Sequence, residues 1–285
     1  MSATFLLHVS TLLSLFISSA IEGVQITGLF VPPEVQNGSD HAVLDCEYSL
    51  RPEELQPSSG LVVKWFYNNS PAPVYQWIPG NKPQDLGVLK GRLSLEYRAS
   101  QHNGTAHRAL YIIQPTTDLS GEYKCAVSTF HEEDFMNKRM LVYAPEKRID
   151  VFQTKTELQG VNVSCRALGV FPEPKMVLYK GNDIKRMTLM TGASLESVFK
   201  DGGYDVTITG FLHDEELNSP VIIDCELSIP ETSYVRRKLM HYYPGRALAW
   251  IAEDSGGASL PVAGLTSGLL NLLCWILPLC WQILT

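Results

Sequence analysis

The 285-residue sequence lacks the spacings that most metal and nucleophile chemistry needs. It has no C-x-x-C pair and no zinc-finger or metalloprotease arrangement, so no metal signature is written into it. Its glycine pairs, Gly202-Gly203 and Gly256-Gly257, do not resemble a phosphate loop. Ser164 beside Cys165 has no nucleophile-elbow context, and the sparse histidines form no triad pattern. The runs His131-Glu132-Glu133-Asp134 and His213-Asp214-Glu215-Glu216 resemble ligand sets at first sight. Residues of one loop rarely close a coordination shell, however, so both read as solvated loops, the first between two strands. A basic excess is missing too. The formal net charge of −7 is spread without a long acidic tract, which argues against nucleic acid or anionic lipid as a partner. These absences predict no enzyme, no cofactor and no metal.

What is present is a wiring pattern. Cys46 is followed by Trp65, and the block Asp118-Leu119-Ser120-Gly121-Glu122-Tyr123-Lys124-Cys125 places a tyrosine two residues before a second cysteine. That order is how an immunoglobulin sandwich joins its sheets: an inter-sheet disulfide, an indole packed on it, and a tyrosine corner bonding back to upstream backbone. Cys46–Cys125, Trp65 and Tyr123 take those roles. Cys165 and Cys225 form a second pair; of the six cysteines these four precede the apolar tail and permit three connectivities, of which only the sequential pairs fit sandwich spacing. The predicted fold is all-β, a variable-type sandwich over 21–145 and a constant-like one over 146–244.

The remaining segments predict the compartment. Residues 1–20 carry an apolar run ending in Ser18-Ser19-Ala20 and read as a signal peptide. Sequons at Asn37, Asn68, Asn103 and Asn162 agree with secretion. Residues 245–257 are small and flexible, with Ser255, Gly256 and Gly257 as candidate attachment sites, and 258–285 form an apolar tail. This combination reads as a glycolipid-anchor signal, with a retained transmembrane helix as the alternative.

Alternation assigns faces in the first domain. Strands are expected at Ala42–Tyr48, Leu61–Tyr67, Val74–Ile78, Arg92–Tyr97, Ala109–Ile113, Gly121–Val127 and Met136–Tyr143, with a polar loop over 49–60. With Trp65 inward, Val63 and Tyr67 follow it, leaving Val62, Lys64 and Phe66 outward. The hairpin strand Val74–Ile78 is expected to bury Val74 and Ile78 and to turn Tyr75 and Trp77 outward. Phe66, Tyr75 and Trp77 then gather beside Lys64 and Lys124, and aromatics flanked by cations have the composition of a binding hot spot. A one-residue slip in parity buries those aromatics as core instead. Arg92 is expected to pair with Asp118. In the second domain Tyr179 occupies the place expected for the core tryptophan, and Ile223 stands where a corner tyrosine would be.

Two segments carry a family resemblance: Val63-Lys64-Trp65-Phe66-Tyr67 and Pro73-Val74-Tyr75-Gln76-Trp77-Ile78-Pro79-Gly80, continued through Asp118–Cys125 and Ala126-Val127-Ser128. With them the first domain resembles the beaten path family of insect neuronal immunoglobulin-superfamily proteins. The resemblance implies heterophilic binding of sidestep-like immunoglobulin receptors through the first domain, in axon guidance or synaptic target recognition. The rival expectation is an immune-type pattern-recognition protein, secreted or anchored.

Overall fold

Burial alternates residue by residue along His41–Ser49 and Leu110–Ile113 and through most of Gly203–His213, where apolar parity turns one face of the strand to the core. The structure, a computed structural model, describes residues 23–156, 159–216 and 220–243. The expected signal peptide, the attachment sites Ser255, Gly256 and Gly257, and the apolar tail lie outside the described residues.

The first sandwich contains β1 (Gln25–Phe30), β2 (Glu34–Gln36), β3 (His41–Ser49), β4 (Val62–Tyr67), β5 (Pro73–Trp77), β6 (Gln84–Asp85), β7 (Leu110–Ile113), β8 (Gly121–Ser128) and β9 (Glu133–Tyr143). One sheet has the order β1-β3-β7 and the other β2-β9-β8-β4-β5-β6. The hairpin β5 and short β6 extend the second sheet as in variable-type domains. Cys46 and Cys125 are bonded across the sheets, and Trp65, directly opposite Cys125 in the register, is fully buried. Its indole Nε1 donates to the Arg108 carbonyl at 3.1 Å. Tyr123 OH donates to the Leu119 carbonyl at 2.9 Å, which closes the turn before β8.

The strand expected at Arg92–Tyr97 does not form. Only an isolated bridge from Leu93 to Ile112 is made, because the chain turns immediately afterwards, Tyr97 N bonding back to Ser94 O at 3.2 Å. The loop over 49–60 is ordered by two short 3-10 helices, Pro52–Leu55 and Pro57–Ser59. Arg51 holds the buried Glu54 carboxylate at 3.0 Å and also reaches Glu132 at 3.2 Å.

The second sandwich contains β10 (Arg148–Lys155), β11 (Gly160–Val170), β12 (Lys175–Gly181), β13 (Thr188–Leu189), β14 (Ser194–Lys200), β15 (Gly203–His213), β16 (Val221–Ser228) and β17 (Val235–Tyr242). Its sheets are β10-β11-β15-β14 and β13-β12-β16-β17, with Cys165–Cys225 between them. Leu178, not Tyr179, faces the disulfide. Leu178 is the residue opposite Cys225 and is buried, whereas Tyr179 lies opposite Asp224 on the outer face. Ile223 is fully buried and fills its position with a branched side chain instead of a phenol.

Between the two cores lies a short elbow. Ala144 and Phe171 exchange backbone hydrogen bonds of 2.8 and 3.0 Å. Glu34 accepts from both the backbone N and the hydroxyl of Ser233, each at 2.7 Å. Tyr234 OH donates to Glu146 at 2.9 Å, and burial together with that bond pushes the phenol up to about 12. Arg139 pairs with Glu231 at 3.2 Å.

Candidate functional site

The outer face of the six-stranded sheet is built around β4 and β8, whose parity Trp65 and Cys125 set from within. Lys64 and Phe66 point away from the core, and the register places Lys64 opposite Ala126 and Phe66 opposite Lys124. On the next strand, Phe135 is opposite Ala126 and Asn137 opposite Lys124. Lys124 thereby stands between two rings: its Nζ is 5.5 Å from the Phe66 centroid and 4.3 Å from the Phe135 centroid. Both distances are in the range of cation–π attraction. Ala126 is covered, its small side chain forming the floor between Phe135 and Lys64, while Phe135 itself is 57% exposed.

Tyr75 and Trp77 are not on this face. They are 3% and 2% exposed and belong to the core, and Ile78, expected inside, is exposed. The reason is a bulge. Trp65 pairs with Tyr75 but Phe66 pairs with Pro73, so Val74 is an extra residue in β5. Directly opposite residues share a face, so Tyr75 follows Trp65 and Trp77 follows Val63 into the interior. Their polar atoms and rings are engaged there: Tyr75 OH donates to the His107 carbonyl at 2.7 Å, and the Trp77 ring meets His107 edge-on at 5.5 Å. Burial pushes the Tyr75 phenol well above its ordinary value. The expected cluster thus retains Lys64, Phe66 and Lys124, loses Tyr75 and Trp77, and gains Phe135.

Sequence reasoning missed Phe135 because the last strand was expected to start at Met136, whereas β9 begins at Glu133. The alternation Phe135, Asn137, Arg139 on one face was available as a signal. The acidic run before it is structural, and its last two residues are strand, not loop. Asp134 accepts from Ile26 N at 2.7 Å and Glu132 from Arg51. Likewise Asp214 accepts from Tyr242 OH at 2.7 Å. Among the described residues no group of three or more His, Cys, Asp or Glu converges as a metal site requires.

Arg92 Nη1 lies 2.7 Å from Asp118 Oδ2, beside a hydrogen bond from Thr116 to the other carboxylate oxygen. Burial raises the Asp118 carboxyl, but the Thr116 and Arg92 hydrogen bonds and the guanidinium charge outweigh it and hold the group below its ordinary value. Ser164 Oγ is buried and paired with Thr209 Oγ1 at 2.8 Å. A cleft of about 530 Å³ in the second sandwich is lined by Lys180, Asp183, Arg186 and Thr188 with Gly181, Asn182 and Val221, a set with no Ser, Cys or His. Of the sequon residues, Asn37, Asn68 and Asn103 are exposed, and Asn162 is half-buried on β11.

No protein-family model matches the sequence. Over 159 residues it is 27% identical to mouse Selection and upkeep of intraepithelial T-cells protein 3, a match covering 54% of this chain and 32% of that protein. The chain therefore spans about a third of the length of that relative. Among solved structures it is similar to bovine butyrophilin, with a TM-score of 0.58 at 18% identity over 75% of this chain and 97% of that one. The extracellular portion of mouse CD200RLa matches at 17% identity and a TM-score of 0.46, over 74% and 96% of the respective chains. The likeness to butyrophilin is one of fold alone: tandem immunoglobulin-like sandwiches. Among the described residues no helix is long and apolar enough to cross a membrane.

Proposed function

We propose that this protein is a cell-surface recognition molecule that binds a partner through the outer β9-β8-β4 face of its first sandwich. The observation that carries the reading is Lys124 held between the Phe66 and Phe135 rings on the outer face of the six-stranded sheet. An aromatic pair that holds a cation in place presents rigid apolar area at little entropic cost, which is the profile of a hot spot. The family resemblance supplies the partner class: a sidestep-like immunoglobulin receptor bound heterophilically, in axon guidance or synaptic target recognition. Attachment is by a glycolipid anchor at Ser255, Gly256 or Gly257 on the extracellular face of the plasma membrane. A phospholipase specific for that anchor releases the protein from cells; retention after treatment overturns the anchor.

Phe66→Ala and Phe135→Ala, each checked for folding, lower affinity for such a receptor about tenfold or more, as hot-spot truncations do. Unchanged affinity in both folded variants overturns the assignment. A second reading is immune-type recognition of glycans or microbial surfaces by the same sandwich; the name of the mouse relative, which concerns intraepithelial T cells, favours its immune part alone. Binding to glycan or microbial arrays without binding to any immunoglobulin receptor ectodomain would select it.

A further inference from the structure

The second sandwich is closed on one flank and open on the other. β10 and β17 meet along the closed flank. On the open flank β14 is the last strand of its sheet, and the facing strand β13 is only two residues long. All seven residues of β14, Ser194 to Lys200, are exposed. Leu195 and Phe199 share the face that β15 turns inward, since they lie opposite Ile208 and Tyr204, yet they are 51% and 59% exposed. Val198, on the other face, is 61% exposed. An edge strand carrying three exposed apolar residues has a full row of unpaired backbone donors and acceptors, which normally is protected or used.

We propose that β14 is a homotypic interface, pairing antiparallel with β14 of a second copy of this chain so that two four-stranded sheets become one of eight. The sequence of the strand specifies the register. A two-fold axis perpendicular to a sheet keeps each side chain on its own face, so the axis must pass through a residue. Through Glu196 or Lys200 it sets like charges against each other. Through Ser197 it leaves Glu196 opposite Val198, and through Phe199 it leaves Val198 opposite Lys200. Through Val198 it sets Glu196 opposite Lys200 of the partner copy, twice, with Val198 against itself between the two ion pairs. Neither Glu196 nor Lys200 makes an ion pair among the described residues, so both are available. Phe199, which already packs on Tyr204 at 5.0 Å, then falls opposite the partner copy's Ser197 and is shielded by it.

Five paired residues bury less than a standard interface, so the dimer is weak in free solution and is favoured where copies are concentrated. Sedimentation of the purified full chain in mild detergent at rising concentration gives a monomer–dimer equilibrium. Glu196→Lys and Lys200→Glu each weaken it about tenfold, because two attractive cross-strand pairs become repulsive, and the double variant restores it. Both positions are exposed, and circular dichroism confirms that the variants fold. On cells expressing the full chain, mild oxidation crosslinks Val198→Cys to itself, the register that brings these Cβ atoms within disulfide reach. A wild-type chain that stays monomeric, a dimer indifferent to charge reversal, or crosslinking at Ser197→Cys in place of Val198→Cys overturns the proposal. None of these readouts involves Phe66, Phe135 or a receptor.

Discussion

Trp77 and Phe135 are both large aromatics on the same sheet, and one ordinary substitution tells them apart. Trp77 is packed against the core with an edge contact to His107, so Trp77→Ala costs about 3–5 kcal/mol of stability. Denaturant unfolding of the variant should show a midpoint shifted downward, and any loss of binding should follow the unfolded fraction. Phe135→Ala removes an exposed ring and leaves the midpoint within about 0.5 kcal/mol of wild type. Asp224 is the other informative single residue. It is buried at 2% exposure with Oδ1 unpartnered and Arg237 3.5 Å from Oδ2. Burial raises its carboxyl above the ordinary range, against the pull of the Arg237 charge. A raised folded value means that ionisation opposes folding: the penalty is absent below the ordinary carboxylate range and complete above the raised one. Asp224→Asn therefore stabilises the protein near neutral pH, by on the order of 1 kcal/mol. Thermal unfolding across pH should show the advantage vanish in acid.

Strand β4 is legible in the sequence and its neighbour β5 is not. Cys46, Trp65, Tyr123 and Cys125 fix one another through a pattern that few other folds use, so β4 and β8 parity follows from spacing alone. In β5 the run Val74, Tyr75, Gln76, Trp77 contains three apolar residues that fit either parity, and a bulge adds one residue without changing composition. Period-two reasoning fails wherever the count of residues between two pinned points is off by one. The same limit shifted the expected core residue of β12 from Leu178 to Tyr179. The Arg92–Asp118 pair could be read from the sequence because it rests on side-chain chemistry and not on register. It ties the turn Thr117–Leu119 to the segment after Gly91, and with both partners partly exposed it is worth at most about 1 kcal/mol. Its carboxyl is depressed, so the contribution is present above the ordinary aspartate value and lost as pH falls through the lower folded one. Asp118→Asn should remove that increment at neutral pH and converge with wild type in strong acid, as read by urea midpoints.

At the scale of the described molecule, residues 143–147 join the two sandwiches. The elbow combines the Ala144–Phe171 backbone pair with the Tyr143 ring tilted against Tyr234 at 5.9 Å and with Glu34 and Glu146 accepting from Ser233 and Tyr234 of the second sandwich. Tyr234→Phe removes the hydroxyl that donates to Glu146, a carboxylate whose side chain is 6% exposed and whose ion pair among the described residues is Arg236 at 3.5 Å. Small-angle scattering of that variant should show a broader distribution of inter-domain distances, while the two cores unfold near their wild-type midpoints. Little of this was visible in sequence beyond the shortness of the linker, because its partners come from loops nearly a hundred or two hundred positions away. Under the proposed recognition, the elbow bears on which partners fit. A flexible joint lets a ligand gather its own fit at the expense of orientational freedom lost on encounter; here that freedom is given up when the chain folds. Candidates with matching surface chemistry are then sorted a second time, by angle of approach.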